Sequence, residues 1–192
     1  MNKSAKLQIV KQAVTVLNQG GVILYPTDTI WGIGCDPTNE TAIDKIYAIK
    51  KRSNKKPLII LIHDEELLLN YVKSIPNAAK TIIKEDKVPT TIIYKNPINL
   101  PNVFIKHKTI GIRVVKKHCI NMLLSHFGKA LTSTSANISS SINPLFFEDI
   151  DDDIKNAVDY IIPEKFIEVK SRNKASRIIK INTDETIDII RD

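Results

Sequence analysis

The chain has 192 residues, of which 43% are hydrophobic and 26% are charged, and its formal net charge is +7. This length fits one ordinary domain over residues 1–192, and the balance of apolar and charged residues excludes a disordered chain. No stretch approaches the roughly 18 apolar residues of a membrane span, and residues 1–17 lack the apolar core of a signal peptide, so we expect a cytoplasmic protein with no membrane contact.

The excess of cations favours phosphate-bearing partners, whether nucleotides or nucleic acid, without choosing between them. Cys35 and Cys119 are far apart in sequence and form no CxxC motif, so we expect two free thiols rather than a disulfide. The four histidines show no zinc-binding spacing, and we expect no metal ion held by protein side chains.

Hydrophobic periodicity predicts alternating helices and strands along the first half of the chain. Apolar residues three or four apart indicate helices, whereas short apolar runs rich in β-branched residues indicate buried strands. The predicted elements, in chain order, are a helix ending at Gly20, a strand at 22–25, a helix capped by Thr38, a strand at 58–62, a helix from Asp64 to Val72 and a helix beginning at Pro76.

The second half of the chain is richer in predicted strands. Its predicted elements are strands at 90–94 and 109–115, a helix at 118–127 ended by Gly128, a strand at 130–135, a helix at 149–158, and strands at 158–162, 177–181 and 186–190. Alternating strands and helices followed by hairpin-like strands predict an α/β domain on a twisted mixed sheet.

Polar groups are clustered first in the segment 25–34, directly after a predicted buried strand. Thr27 and Thr29 could hydrogen-bond a small polar substrate, and Asp28 could hold an ammonium group or a metal-bound water. The glycines at 32 and 34 would let backbone approach a ligand closely. The structural alternative is a turn in which Asp28 caps the local backbone.

A second cluster lies between a predicted helix and a predicted strand, where five cations occur within the seven residues 50–56. Several lysines and the guanidinium of Arg52 could bind a triphosphate. The alternative is a solvated charged surface near a helix C-terminus, which attracts cations without any ligand.

A third cluster occupies 131–140, where Ser133 and Ser135 project to one face of an extended strand and Asn137 offers both a donor and an acceptor. An exposed polar strand end is the alternative. Arg113 lies in an otherwise apolar strand, so it needs an anionic partner, either an internal carboxylate or a substrate carboxylate. The chain has no phosphate loop, dinucleotide fingerprint or hydrolase nucleophile motif.

Five motifs in order resemble the YrdC-type threonylcarbamoyl-AMP synthase family. They are YPTDTIWGIGCD at 25–36, KKRSNKKPL at 50–58, PTTIIY at 89–94, TIGIRV at 109–114 and STSANIS at 133–139. A looser match covers residues 175–180, and Arg191 resembles a late arginine of the family. The chain departs from the family pattern at Ser53, at 86–88, at Val115, and at Ser140, where the family has glycine.

The resemblance implies a YrdC-like open sheet flanked by helices, with a concave basic cavity for ATP and L-threonine. Carried over residue by residue, the motifs imply three overlapping groups of site residues. The catalytic group is Arg52, Lys50, Ser135 and Asn137; the ATP-binding group is Arg52, Lys56, Thr91, Ser135, Asn137 and Arg191; and the threonine-binding group is Thr27, Thr29, Lys95, Arg113, Ser133 and Ser176.

The implied activity is that of an L-threonylcarbamoyladenylate synthase, a nucleotidyltransferase that joins L-threonine, bicarbonate and ATP for a tRNA modification. Mg²⁺ would enter with ATP and be held mainly by phosphate oxygens and water. The implied partner is a downstream tRNA-modifying transferase complex, and direct contact with tRNA is allowed.

Other functions remain open at the level of sequence. The main alternative is an RNA-binding module that uses a basic concave surface without catalysis. Two further alternatives are a related enzyme acting on another amine or carbamoyl substrate, and a paralogue that binds nucleotide without turnover.

Overall fold

Helices and strands alternate along the computed structural model, which describes residues 1–52, 57–85, 87–116, 119–167 and 174–192. The α-helices are α1 (Lys3–Asn18), α2 (Glu40–Ile49), α3 (Asn77–Glu85), α4 (Asn102–Ile105), α5 (Ile120–Phe127) and α6 (Asp152–Ala157). The strands are β1 (Ile23–Tyr25), β2 (Gly32–Gly34), β3 (Ile59–Ile62), β4 (Thr90–Lys95), β5 (Thr109–Val114), β6 (Leu131–Ser135), β7 (Tyr160–Ile161), β8 (Arg177–Ile181) and β9 (Ile187–Arg191).

These strands form one mixed sheet in the order β7-β1-β2-β6-β3-β5-β4-β8-β9. The pairs β1/β7, β3/β5 and β4/β8 are parallel, and the other neighbouring pairs are antiparallel. The sheet is open, because β7 and β9 lie at opposite edges. The predicted α/β fold on an open mixed sheet is therefore confirmed.

Two apolar cores cover opposite faces of the sheet, as the alternation along β3 shows. Ile60 and Ile62 pack with α2 in the first core, whereas Leu61 packs with α1 and α5 in the second. Side chains of successive strand residues point to opposite faces, so one short strand contributes to both cores. The continuous apolar run at 58–62 reflects this burial on both sides.

Most predicted elements are present, with small differences at their ends. Asn39, rather than Thr38, caps α2, because its Oδ1 accepts from the amide of Ala42 at 3.0 Å. Thr38 instead donates its hydroxyl to Asp36 at 2.6 Å. The segment after Asp64 forms a 3₁₀-helix (Glu65–Asn70) and not the longer helix predicted to Val72.

Two elements, β2 and α4, have no counterpart among the predicted ones. The strand β2 is a Gly-Ile-Gly run that lacks the β-branched density of a typical strand. A Cβ on Gly34 would lie 2.2 Å from the carbonyl oxygen of Thr132, so glycine is required there for β2 to approach β6. The space beside Gly34 is thus filled by protein backbone and not by a ligand, contrary to the sequence prediction.

Candidate functional site

A cavity of about 230 Å³ brings together side chains from segments that are far apart in sequence. Its wall is supplied by strands β2, β3, β5, β6, β8 and β9, together with residue 52 and the loops at 27–31, 57–58, 143 and 175–176. Its polar and charged lining residues are Thr27, Thr29, Arg52, Arg113, Ser133, Thr134, Ser135, Asn143, Ser176 and Arg191. Eight of these ten were predicted as site residues from the sequence.

The threonine pair of the loop after β1 presents hydrogen-bond acceptors to the cavity. Each hydroxyl has one proton to donate. Thr27 Oγ1 donates to the carbonyl oxygen of Ile30 at 2.6 Å, and it lies 2.8 Å from Thr29 Oγ1. The proton between the two hydroxyls therefore belongs to Thr29, which keeps only lone pairs for a ligand. Such a group suits an ammonium or another donor.

Ser133 on β6, unlike Thr29, presents a hydrogen-bond donor to the cavity. The hydroxyl of Tyr25, which is fully buried, donates to Ser133 Oγ at 2.8 Å. Burial raises the pKa of Tyr25, and this keeps its phenolic proton in place. Ser133 consequently keeps its own proton for the cavity and can donate to a carboxylate.

Arg113 on β5 finds the anionic partner that its sequence context required. Its Nη2 donates to Oδ2 of Asp28, and the side chains of Arg113 and Asp28 are 6% and 23% exposed. The partner is thus an internal carboxylate, which was one of the two alternatives left open. Arg113 nevertheless lines the cavity, so its remaining N–H groups are available to a ligand.

Arg52 follows the C-terminus of α2 and is held by neutral partners. Its Nη1 donates to Thr134 Oγ1 and its Nη2 to the carbonyl oxygen of Pro57, both at 2.8 Å. Burial lowers the pKa of Arg52, because desolvation disfavours the charged form. The guanidinium stays ionised in any case, since an arginine is not deprotonated in proteins. Lys56, predicted to act beside Arg52, lies outside the described residues.

Lys50 lies beneath the cavity wall rather than on it. Its Nζ donates to the carbonyl oxygens of Ser135 and Asn137, the latter at 2.6 Å, and to Asn137 Oδ1 at 3.1 Å. The side chain is 1% exposed and does not line the cavity, so Lys50, which the motif placed in the catalytic group, makes no direct contact with the ligand space. Burial, with a smaller contribution from Arg52, lowers its pKa to about 7.

Asn137 acts in the same network. Its Oδ1 accepts from Ser135 Oγ at 2.6 Å, and its Nδ2 donates to the carbonyl oxygen of Ser141. The predicted pair is therefore brought together, with Ser135 on the cavity wall and Asn137 beside it. Lys50 and Asn137 fix the strand end that carries Ser135.

Ser176 and Arg191 close the cavity from the other side. Arg191 donates from Nη2 to the carbonyl oxygen of Ser176 at 2.6 Å, and Ser176 Oγ lies 2.9 Å from Thr91 Oγ1. Thr91 has no exposed surface and lies behind Ser176. The direct ATP contact predicted for Thr91 is thus not supported. Thr91 instead holds the Ser176 hydroxyl through their shared hydrogen bond.

Lys95 is not brought to the cavity. It ends β4, four residues beyond Thr91, which corresponds to about 13 Å in a strand, and its side chain is exposed. The threonine contact predicted for Lys95 is therefore not supported, whereas Arg113 is in place.

Two lining residues were missed by sequence reasoning. Thr134 was expected to point away from Ser133 and Ser135, yet it accepts from Arg52 and lines the wall. Asn143 lies in a segment without any motif and gave no signal. The charged lining residues are three arginines, and the basic character of the whole cavity stays a prediction.

Two negative findings concern the described ranges alone. Within them, no helix is long and apolar enough to cross a membrane. The same ranges contain no group of three or more His, Cys, Asp or Glu side chains arranged to hold a metal ion.

Comparison with known proteins gives a consistent result. The Sua5/YciO/YrdC family model, described as telomere recombination, matches residues 15–192. The threonylcarbamoyl-AMP synthase of Pseudoalteromonas translucida is 35% identical over 157 residues, which is 79% of this chain and 83% of that protein. The threonylcarbamoyl-AMP synthase of Vibrio vulnificus is 30% identical over 181 residues, which is 92% of this chain and 96% of that protein.

A solved relative has the same fold. P. abyssi Sua5, whose crystal structure is complexed with L-threonine, superposes with a TM-score of 0.84 at 25% identity. The match covers 97% of this chain and 54% of that chain, so this chain spans about half the length of the solved relative. The family model and these relatives together show that the chain belongs to the Sua5/YciO/YrdC family.

Proposed function

We propose that the chain is an L-threonylcarbamoyladenylate synthase, which converts L-threonine, bicarbonate and ATP into threonylcarbamoyl-AMP, pyrophosphate and water. The observation that carries the proposal is the convergence of Thr29, Arg52 and Ser135 on one cavity. The names of the relatives and the threonine complex of P. abyssi Sua5 support it. The product would serve threonylcarbamoyladenosine modification of tRNA in the cytoplasm.

The amino-acid end of the cavity supplies complementary polarity for threonine. Thr29 offers lone pairs to the ammonium group, while Ser133 and Arg113 offer N–H and O–H donors to the carboxylate. Fixing the amine beside bicarbonate favours formation of the carbamate, because proximity replaces a bimolecular encounter. The amine reacts in its neutral form, after the ammonium proton has passed to solvent, and the hydroxyl that bicarbonate loses leaves as water with the second proton of the amine.

The nucleotide end supplies positive charge without a covalent nucleophile. The carbamate oxygen attacks the α-phosphorus of ATP, the bond to the β-phosphate oxygen breaks, and pyrophosphate leaves. Arg52 and Arg191 would neutralise the charge that develops on the phosphates, and Ser135, whose proton is donated to Asn137, would accept a hydrogen bond from a donor group of the nucleotide. We also assign Lys56 to the triphosphate on the basis of its motif.

Mg²⁺ fits this arrangement as a companion of ATP. Asp28, the carboxylate closest in sequence to the threonine pair, is engaged by Arg113. The ion would therefore take its oxygen ligands from the phosphates and from water, which suits the octahedral preference of Mg²⁺. Bound in this way, it would add to the neutralisation of phosphate charge.

The alternative of an RNA-binding module without catalysis gains no support. A surface that only grips phosphates needs cations, whereas this cavity also contains oriented hydroxyl groups. A downstream transferase complex that accepts the adenylate, and a direct contact with tRNA, remain parts of the proposal. The proposal also includes that residues 1–192 form one catalytic domain.

Arg52→Ala tests the function directly. We expect threonine-dependent pyrophosphate release to fall by about a hundredfold, since loss of a transition-state contact costs on the order of 3 kcal/mol. Arg177→Ala is a matched control, because Arg177 also donates to a threonine hydroxyl, Thr90, but does not line the cavity. Near-normal turnover of Arg52→Ala in a folded protein would reject the role of Arg52.

A further inference from the structure

Asp28 lies behind the cavity wall and reaches the ligand space only through Arg113. Its Oδ2 accepts from Arg113 Nη2, whereas Asp28 itself does not line the cavity. Its other oxygen, Oδ1, is buried without a hydrogen-bond partner among the described residues. An ion pair whose carboxylate is half-buried and incompletely hydrogen-bonded contributes little to stability compared with apolar packing, so stability alone gives little reason for the Arg113–Asp28 pair.

The arginines of the cavity differ in their electrostatic surroundings. Arg113 is paired with a carboxylate, and this pair carries no net charge. Arg52 is held by Thr134 and the Pro57 carbonyl, and Arg191 by Ser176, all of them neutral. In the part of the chain that the structure describes, neither of these two arginines has an acidic partner. Of the three guanidinium groups of the cavity, the charge of Arg113 is therefore neutralised by a carboxylate, whereas the charges of Arg52 and Arg191 are not.

We infer that Asp28 is a positioning residue that makes Arg113 a receptor for a zwitterionic amino acid and prevents it from acting as a phosphate site. This inference rests on the proposed function. The neutral Arg113–Asp28 pair retains directed N–H donors, which a carboxylate can accept. It lacks the net positive charge that attracts a multiply charged phosphate over several ångströms.

The separation of roles follows from charge. A zwitterion has no net charge, and it loses little attraction when the receptor is also neutral. A triphosphate carries several negative charges, so it is attracted much less by a neutral receptor than by a positive one. It is therefore directed to Arg52 and Arg191. The two substrates thus enter with a fixed orientation, although guanidinium groups occur at both ends of the cavity.

Three substitutions at one position separate charge from geometry. Asp28→Asn keeps an oxygen that can accept from Arg113 and removes the charge, Asp28→Ala removes both, and Asp28→Glu keeps the charge. The assay is threonine-dependent pyrophosphate release, with inorganic phosphate as inhibitor and either ATP or threonine as the varied substrate. Thermal unfolding of each variant reports whether it folds.

In the wild type, phosphate is expected to compete with ATP and not with threonine. In Asp28→Asn, phosphate should also compete with threonine, because Arg113 gains net charge. In Asp28→Ala, the KM for threonine should rise by about tenfold, equivalent to about 1.4 kcal/mol, while the KM for ATP changes by less than about twofold. Asp28→Glu should restore the inhibition pattern of the wild type, in which phosphate competes with ATP and not with threonine.

Asp36→Asn is the matched control. Asp36 is, like Asp28, an aspartate in an ion pair: its side chain is 8% exposed and lies 2.9 Å from Lys129, and it too is absent from the cavity wall. Its loss should lower the melting temperature and leave the phosphate pattern and the ratio of the two KM values unchanged. A merely structural role for Asp28 would produce this same behaviour.

Several results would overturn the inference. Competition between phosphate and threonine in the wild type would do so without any variant. An unchanged phosphate pattern in folded Asp28→Asn, or an equal rise of both KM values in Asp28→Ala, would also reject it. If the wild type released no pyrophosphate with threonine, the proposed function itself would fail, and the two failures are therefore distinguishable.

Discussion

Ser140 has a backbone conformation that favours glycine, with φ of 76°. The conformation is held from both sides, because the amide of Ser139 donates to the carbonyl oxygen of Lys50 at 2.9 Å and the amide of Ser141 donates to the carbonyl oxygen of Ile138 at 3.0 Å. The family motif has glycine at the position of Ser140, and the chain departs from it. The departure therefore introduces backbone strain beside Asn137 rather than a new contact.

Ser140→Gly should stabilise the protein. Relief of the left-handed conformation contributes about 1–2 kcal/mol, and the greater freedom of glycine in the unfolded chain offsets about 0.5–1 kcal/mol. We expect the melting temperature to rise by about 2–4 °C for a net gain near 1 kcal/mol. Ser141→Gly, at a position without positive φ, should lower it; equal shifts in both variants would contradict the explanation.

Lys50 should make stability depend on pH. Its folded-state pKa of about 7 lies below its ordinary value of 10.5, so between these values the unfolded chain holds more protons. The free energy of unfolding should therefore rise with pH from about 7, since the desolvation penalty of the charged form is relieved. Below pH 7 both states are protonated, and this contribution is flat.

Lys50→Met should remove that rise, and denaturant unfolding at several pH values between 7 and 9 would measure it. Burial raises the pKa of Cys35 to about 12, so the folded state retains its proton and stability falls above pH 9, outside this window. A slope that survives in Lys50→Met would show that another group is responsible. Activity of the variant should also fall, because Lys50 fixes the strand end that carries Ser135.

Individual residues show what sequence could and could not predict about the site. The motif positions Thr29, Arg52 and Ser135 were found because their residue types suit the chemistry and their spacing matches a family. Thr91 and Lys50 share those motifs but are buried, and a motif does not report depth. The Asp28–Arg113 pair joins residues 85 positions apart, a contact that a single sequence does not reveal.

At the scale of elements, β9 is an edge strand with unusual exposure. It pairs with β8 along one side only, and Ile187, Ile189 and Ile190 are 47%, 61% and 57% exposed. An apolar edge strand with unpaired backbone groups is a template for pairing with another chain. We therefore expect that this strand, which supplies Arg191 to the cavity wall, also promotes self-association.

Ile189→Lys should reduce self-association at high protein concentration and leave the fold intact. A charge on an exposed edge opposes edge-to-edge pairing, and an exposed site loses little packing. Light scattering as a function of concentration would measure the effect. Ile181→Lys, at a position only 5% exposed on the neighbouring strand, should instead unfold the protein; unchanged association in Ile189→Lys would exclude the edge as its cause.

Elements with strong apolar patterns were predicted well, and weakly patterned ones were not. The bounds of β8 at 177–181 agree with the prediction, and Gly128 ends α5 with φ of 70°. In contrast, β2 is too short and glycine-rich to show a period, and α4 spans four residues. The strand β2 exists because its neighbours bury it, and α4 is held by the burial of Phe104; tertiary contacts of this kind are absent from local sequence.

At the scale of the whole molecule, the cavity joins the middle of the sheet to its β8–β9 edge. Ligand contacts at Ser133 on β6 and Arg191 on β9 would link two strands that four others separate in the strand order. An edge hairpin opens more easily than central strands, because fewer contacts hold it. A bound ligand should therefore stabilise the edge more than any other part.

Hydrogen exchange should reveal this effect. With threonine and a non-hydrolysable ATP analogue, each at a hundredfold excess over its Kd, amides of β8 and β9 should exchange about a hundredfold more slowly for each ligand that opening of the edge releases. The first turn of α1, which does not line the cavity, is the internal control and should change little. Equal protection of both regions would indicate global stabilisation instead of bridging.

The fixed hydroxyl protons of Thr29 and Ser133 give the cavity two unlike ends. Thr29 can only accept, whereas Ser133 on β6 can donate, as can Arg113 on β5, which β3 separates from β6. An amino acid bound the other way round would set its carboxylate against lone pairs and its ammonium group against donors. The direction in which the amino acid binds thus follows from where Tyr25 and Thr27 direct two hydrogen bonds.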